Sequence, residues 1–303
     1  MRHARLTTAL MGTALLAALA APATADRPIE ESLELAADGE LQVEILSGSL
    51  VVHGWDRAEV RVTGTVGDDV EDLDIGGDGG RAWVEIDGDH VRRRHNLDAD
   101  LEIWLPSTAR LAVDTLSADI DVSEVAGELE LGSVSGDITV SGSPSSMEAE
   151  TVSGDVRLDG TDSRAGTAAA VETVSGNVQL HGVGRTVEAS AVSGRIEVSA
   201  VAQVHDVGLE TVSGDVELAA ALAPGARVDI SSHSGSIVLR LPGDTSASFD
   251  VSTFNGSVDN DFGPPAERVD RFGPGKSLEF STGGGDARIS IETFSGDVGL
   301  KRQ

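Results

Sequence analysis

The chain has 303 residues and a formal charge of −29, from 51 Asp plus Glu against 22 Lys plus Arg, with no Cys and no Tyr. Without Cys there is no disulfide scaffold, thiolate zinc site, cysteine nucleophile or lipidated cysteine anchor. So acidic a chain repels phosphate backbones and anionic lipid surfaces, which argues against nucleic acid as a partner, while 40% apolar residues is too much for a solvated, disordered chain.

Residues 1–25 read as a signal peptide. Arg2, His3 and Arg5 precede an Ala/Leu-rich run from Leu6 to Ala21, and Ala23-Thr24-Ala25 supplies the small residues of a cleavage site before Asp26. No later stretch reaches the roughly 20 apolar residues of a membrane helix. The expected product is exported to the periplasm or cell surface, with no membrane span after cleavage.

Residues 26–112 contain an early copy of a repeat, Glu44 to Val52. Alternating strands follow at Glu59 to Thr65, Ala82 to Ile86 and Leu101 to Leu105. All three Trp (Trp55, Trp83, Trp104) lie here, so this part is expected to be a hairpin-containing N-terminal cap region with a broader core.

The repeat itself dominates residues 113–260. The segment Glu150 to Leu158 (ETVSGDVRL) recurs almost letter for letter at Glu172, Glu210 and Glu292, with looser copies elsewhere. The central glycines Gly136, Gly154, Gly176, Gly194, Gly214, Gly235 and Gly256 follow one another at 18, 22, 18, 20, 21 and 21 residues. Apolar and polar residues alternate with period two, and the phase flips near the corner Thr, between Thr151 and Val152 in the first good copy. Each copy therefore reads as two short strands joined by an arc. Stacking them predicts an all-β, single-chain β-solenoid (parallel β-helix) of two-strand rungs about 20 residues long. The Leu-x-x-Leu-x-Leu horseshoe pattern and tandem Gly-Gly-x-Gly-x-Asp calcium repeats are both missing. The step from Gly256 to Gly296 is 40 residues, so residues 261–303 are expected to be divergent C-terminal rungs of the same continuous domain, 26–303.

The Ser-Gly-Asp-Val copies resemble a bacterial family of adhesin-like β-helical domains of unknown function. Gly54-Trp55-Asp56, Leu101-Glu102-Ile103-Trp104-Leu105-Pro106 and the Gly283-Gly284-Gly285 stretch leading into Ile289 to Leu300 also match. The resemblance implies the fold and an envelope location, and it carries over no catalytic residue.

Two outward columns could carry binding. Asp119, Asp137, Asp155, Asp215 and Asp297 follow the arc position of their copies, interrupted by Asn177, Arg195 and serines; Asp114, Glu150, Glu172, Glu210 and Glu292 precede the corner. Such ladders could gather Ca²⁺ or a basic partner, but Asp is also an ordinary residue of a solvated turn, and the sequence favours that simpler reading. The arc serines (Ser135, Ser153, Ser175, Ser193, Ser213, Ser295) are too nearly equivalent for one to be a unique nucleophile. No Gly-x-Ser-x-Gly elbow exists. The histidines are scattered, with no pair at metal-ligand spacing, and His233 occupies a slot filled by Val or Phe in other copies. The cluster Arg92-Arg93-Arg94-His95 reads as an exposed basic turn.

The expected function is thus non-enzymatic, without cofactor or metal: an exported, adhesin-like solenoid presenting an acidic repetitive face to an envelope protein or glycan. A carbohydrate-active β-helix enzyme and a self-stacking structural protein are the alternatives.

Overall fold

A computed structural model describes residues 26–68, 70, 73–86, 97–160, 167–269 and 273–303. The expected signal peptide and Arg92 to His95 lie outside the described residues. Every element among the described residues is a strand.

Repeat copies pair with one another in parallel and in equivalent register. Val156 lies opposite Ile138 on one side and Val178 on the other, while Thr151 lies opposite Ser133 and Thr173. The same matching carries from Arg110–Ser123 through Glu128–Ser133 and Ile138–Ser141, then Ser146–Thr151 and Val156–Asp159, and onward to Val216–Ser234. Equivalent side chains therefore sit above one another at the strand spacing of about 4.8 Å. Inward columns of Val, Leu, Ile and Ala merge into one core, including Leu131, Ala149, Val171, Ala189, Leu209 and Ile230.

The order of the stack departs from the order of the chain at both ends. The first copy lies within Arg27–Trp55, and Arg110–Ser123 packs on one side of it. On its other side lie Gly79–Ile86 and Asp98–Pro106, both parallel to it. These outer strands are themselves covered by antiparallel Leu73–Gly77 and Glu59–Val66. At the far end, Ala287–Ser295 and Val298–Arg302 are inserted between Arg227–Leu241 and Ala247–Asn260. Lys276–Thr282 then runs antiparallel along the outer edge of Ala247–Thr253. The 40-residue step is an end cover plus a return, and antiparallel strands blunt both edges of the ladder.

Two sequence expectations are corrected. The phase flip falls one residue later than hydrophobicity suggested: Val152 and Ser153 are both exposed, while Thr151, Gly154 and Val156 are buried. The inward slot of the arc belongs to a glycine, so apolar character misidentified the valine as core. The tryptophans do not broaden the core either. Trp104 stands on the outward parity between buried Ile103 and Leu105, tilted against Trp55 at 6.3 Å, and Trp83 donates its indole N–H to Asp74 at 3.0 Å. The interior of a rung is too narrow for an indole.

A candidate binding groove along one corner

The Asp column that follows the arc is a hydrogen-bond ladder. Asp119 accepts the backbone N–H of Asp137 at 3.0 Å, Asp137 that of Asp155 at 2.8 Å, and Asp155 that of Asn177 at 2.7 Å. Asn177 continues the series to the N–H of Arg195, Asp215 accepts that of Ser236, and Asp297 that of Ser257. Each side chain thereby pairs an arc N–H one rung away that an apolar residue would leave unmet. Asp297 also takes the Ser257 hydroxyl at 2.7 Å. Those two bonds, the hydroxyl's first and the amide's second, hold its carboxyl below the usual Asp value. The five Asp residues are brought into one column, and each has at least one oxygen so engaged. Among the described residues no group of three or more His, Asp or Glu is arranged to hold a metal ion.

The column before the corner has a different setting. Asp114, Glu150, Glu172, Glu210 and Glu292 are exposed and carry no ion pair among the described residues; the ion pairs of the molecule lie elsewhere, as in Arg110–Glu128, Arg157–Asp159 and Arg240–Glu217. Facing this acidic column across the backbone of the corner residue is a column of exposed apolar side chains. It comprises Leu116, Val134, Val152, Val174, Val192 and Val212, then His233, Phe294 and Phe254, and its aliphatic and Phe members are about half exposed. The two columns, apart from Leu116, are the walls of a groove of about 1200 Å³ that runs from Asp114 to Val269 and residues 273–276. Its length, eight rung spacings, is about 38 Å. Contiguous exposed apolar surface of this kind marks contact sites.

Three aromatic rings complete the apolar wall at one end. His233 and Phe294 lie 5.0 Å apart and 4° from parallel, and Phe294 and Phe254 lie 4.9 Å apart at 7°. The stack follows the rung spacing, so these rings lie face to face. His233, expected as a corner variant, is thus a member of the wall.

The floor offers little backbone to a ligand. The N–H of Val134 donates to Thr115, that of Val152 to Ser133, and that of Ser153 to Val134. Beneath the arcs, Thr151, Thr173, Thr211 and Ser232 have buried hydroxyls without a partner among the described residues, whereas Thr253 donates to Gly296 O at 3.0 Å.

One constellation escaped sequence reasoning. His53 Nδ1 lies 2.6 Å from Ser123 Oγ, and its Nε2 lies 3.3 Å from Glu102 Oε1. The three residues are up to 70 positions apart and meet only because their strands occupy successive rungs. An acyl-transfer centre would also need donors for an oxyanion. The N–H that follows Ser123, that of Glu124, already donates to Ser141 O at 3.1 Å, and Ser123 Oγ reaches Val52 O at 3.2 Å. The cluster ties the cap to the first rungs.

The described residues form an all-β stack with one long groove along a corner. Residues 94–237, just under half of the chain, match the family model described as Toastrack DUF4097. Among solved structures, the chain is similar to a putative adhesin from Bacteroides fragilis NCTC 9343, at 10% identity over 91% of this chain and 98% of that one, with a TM-score of 0.49. It is also similar to a putative lipid binding protein from Parabacteroides distasonis ATCC 8503, at 13% identity over 90% and 96%, with a TM-score of 0.38. A third is a putative cell adhesion protein from Clostridium sporogenes ATCC 15579, at 10% identity over 91% and 100%, with a TM-score of 0.26. No curated protein matches the chain.

Proposed function

We propose that this chain is an exported, non-catalytic, adhesin-like β-solenoid of two-strand rungs that docks a partner at the bacterial cell envelope through the corner groove. The observation that carries this reading is the exposed row of Val134, Val152, Val174, Val192 and Val212, continued by the rings of His233, Phe294 and Phe254, beside carboxylates that have no ion pair within the described residues. A soluble protein does not keep so long an apolar row uncovered without use for it. The Asp119 to Asp297 column serves the arcs, and the contact face is the neighbouring one. Export rests on the basic start, the apolar run and the Ala23-Thr24-Ala25 signature. No described helix is long and apolar enough to cross a membrane.

The reading is tested in intact cells. A photo-reactive residue at Val192 should cross-link an envelope component that the same probe at Glu188, outside the groove lining, does not reach. Purified polysaccharides incubated with the protein should stay at their original length. Equal capture at both positions, capture at neither, or turnover of any glycan would sink the proposal.

A further inference from the structure

We infer that the occupant of the groove is an extended basic polypeptide segment of about eleven residues, lying along the corner with apolar side chains on the valine wall and Lys or Arg on the acidic wall. The inference rests on the docking role proposed above and names the partner's chemistry.

Length and periodicity come first. An extended chain rises about 3.3 Å per residue, so about 38 Å of groove accommodates about eleven residues. Successive side chains of an extended chain point to opposite sides. Laid along a groove with one apolar and one acidic wall, such a segment meets both if apolar and basic residues alternate.

Charge decides the sign. Of the nine rungs that form the groove, Asp114, Glu150, Glu172, Glu210 and Glu292 occupy five, with Gly132, Ser190, Ser231 and Ser252 at the others. The basic residue in the lining is Lys276, at one end. A second copy of so acidic a chain would bring like charges together, and anionic lipid surfaces are repelled for the same reason. The aromatic end does not favour sugars, because the near-parallel rings of His233, Phe294 and Phe254 set their faces against one another. With the floor N–H groups of Val134, Val152 and Ser153 already donated within the stack, recognition runs through side chains, and binding should be salt-sensitive.

Binding is read by fluorescence anisotropy, adding the purified protein to a labelled peptide of about twelve residues alternating Lys and Val. The expected result is saturable binding that weakens at least tenfold between about 0.1 M and about 1 M salt, as the screening length falls from about 10 Å to about 3 Å. Peptides alternating Glu with Val, or Lys with Ser, should bind at least tenfold more weakly. The triple variant Glu150→Gln, Glu172→Gln, Glu210→Gln should lose at least tenfold, and so should Val174→Ser with Val192→Ser. The triple Glu148→Gln, Glu188→Gln, Asp229→Asn, outside the groove, should stay within about twofold. All these side chains except Val174 and Val192 are exposed carboxylates, and those two valines are about half exposed, so an unchanged melting temperature should confirm that each variant folds. The inference is overturned if the Lys–Val peptide binds no tighter than the Glu–Val peptide, or if the outside triple loses as much as the groove triple. If that happens while the Val192 probe still captures an envelope component, the docking role stands and the basic-peptide class falls. If the cellular capture fails too, both fall.

Discussion

Gly176 and Gly154, one rung apart, approach so closely that a β-carbon on Gly176 would lie 1.8 Å from the Gly154 carbonyl oxygen. The same contact recurs from Gly194 to Gly176 and from Gly214 to Gly194, each at 1.8 Å. Glycine is needed at the arc by this approach of backbone to backbone. Gly176→Ala is expected to push two rungs apart and lower the unfolding free energy by about 2 to 3 kcal/mol in a urea titration. Gly208→Ala is the contrast, since the nearest atom to its β-carbon is Glu188 Cγ at 3.9 Å. It should be neutral or stabilising by up to about 1 kcal/mol. Equal costs at both positions would show that the rung contact is not the cause.

The corner hydroxyls separate into two kinds. Thr211 buries an unpartnered hydroxyl, whereas the Thr253 hydroxyl donates to Gly296 O. Replacing Thr211 with Val removes a desolvated polar atom at nearly constant volume and is expected to stabilise by about 1 kcal/mol. Thr253→Val breaks a bond and strands the carbonyl of Gly296, at a cost of about 1 kcal/mol. Thermal melts of the two variants should therefore move in opposite directions.

Asp155 accepts both the backbone N–H and the side-chain amide of Asn177, at 2.7 and 3.1 Å. Asp155→Ala should lose about 1 to 2 kcal/mol of stability. Asp155→Asn keeps an acceptor oxygen and should lose less. If calorimetry finds the two variants alike, the ladder does not stabilise the arcs through that oxygen.

Asp297 gives the ladder a pH signature. Its folded value is depressed by the two Ser257 bonds, so its contribution to stability is complete above the ordinary Asp value of about 3.9 and is lost as pH falls through the folded value. The stability advantage of the natural protein over Asp297→Ala should be constant from pH 7 down to about 4 and should shrink below that. A gap that stays level down to pH 2 would remove the linkage.

Much of this was legible in the sequence because the repeat is nearly identical from copy to copy. Identical copies dictate equivalent register, so the pairing of Val156 with Val178 and the outward columns of Asp and Glu follow from spacing alone. The place of Val152 is not legible, since a β-branched residue next to a corner looks the same whether it fills a core or lines a groove. Trp104 is ambiguous for a related reason: size suggests burial, but a thin interior turns it outward. The meeting of His53, Ser123 and Glu102 depends on which strands become neighbours at the cap, and periodicity within a copy holds no record of that. Nor does it record that the final copy stacks between two earlier ones.

Removing residues 287–303 should therefore do more than shorten the stack. Arg227–Leu241 and Ala247–Asn260 would lose the strands that join them, so loss of cooperative unfolding by circular dichroism is expected, in place of a small fall in melting temperature. A truncated chain that still melted in one sharp transition would show that the two neighbours can pair directly.

The interleaved C-terminus also sets an order in time. A chain made from its N-terminus can stack its middle copies as they emerge, yet Ala247–Asn260 has no place on the stack until Ala287–Arg302 has arrived. The end of the stack, with its stacked phenylalanines, is completed only after residues 287–302 have left the ribosome. The groove therefore reaches its full length only once residues 287–302 are in place, and a chain that lacks them would lack the aromatic end of the groove.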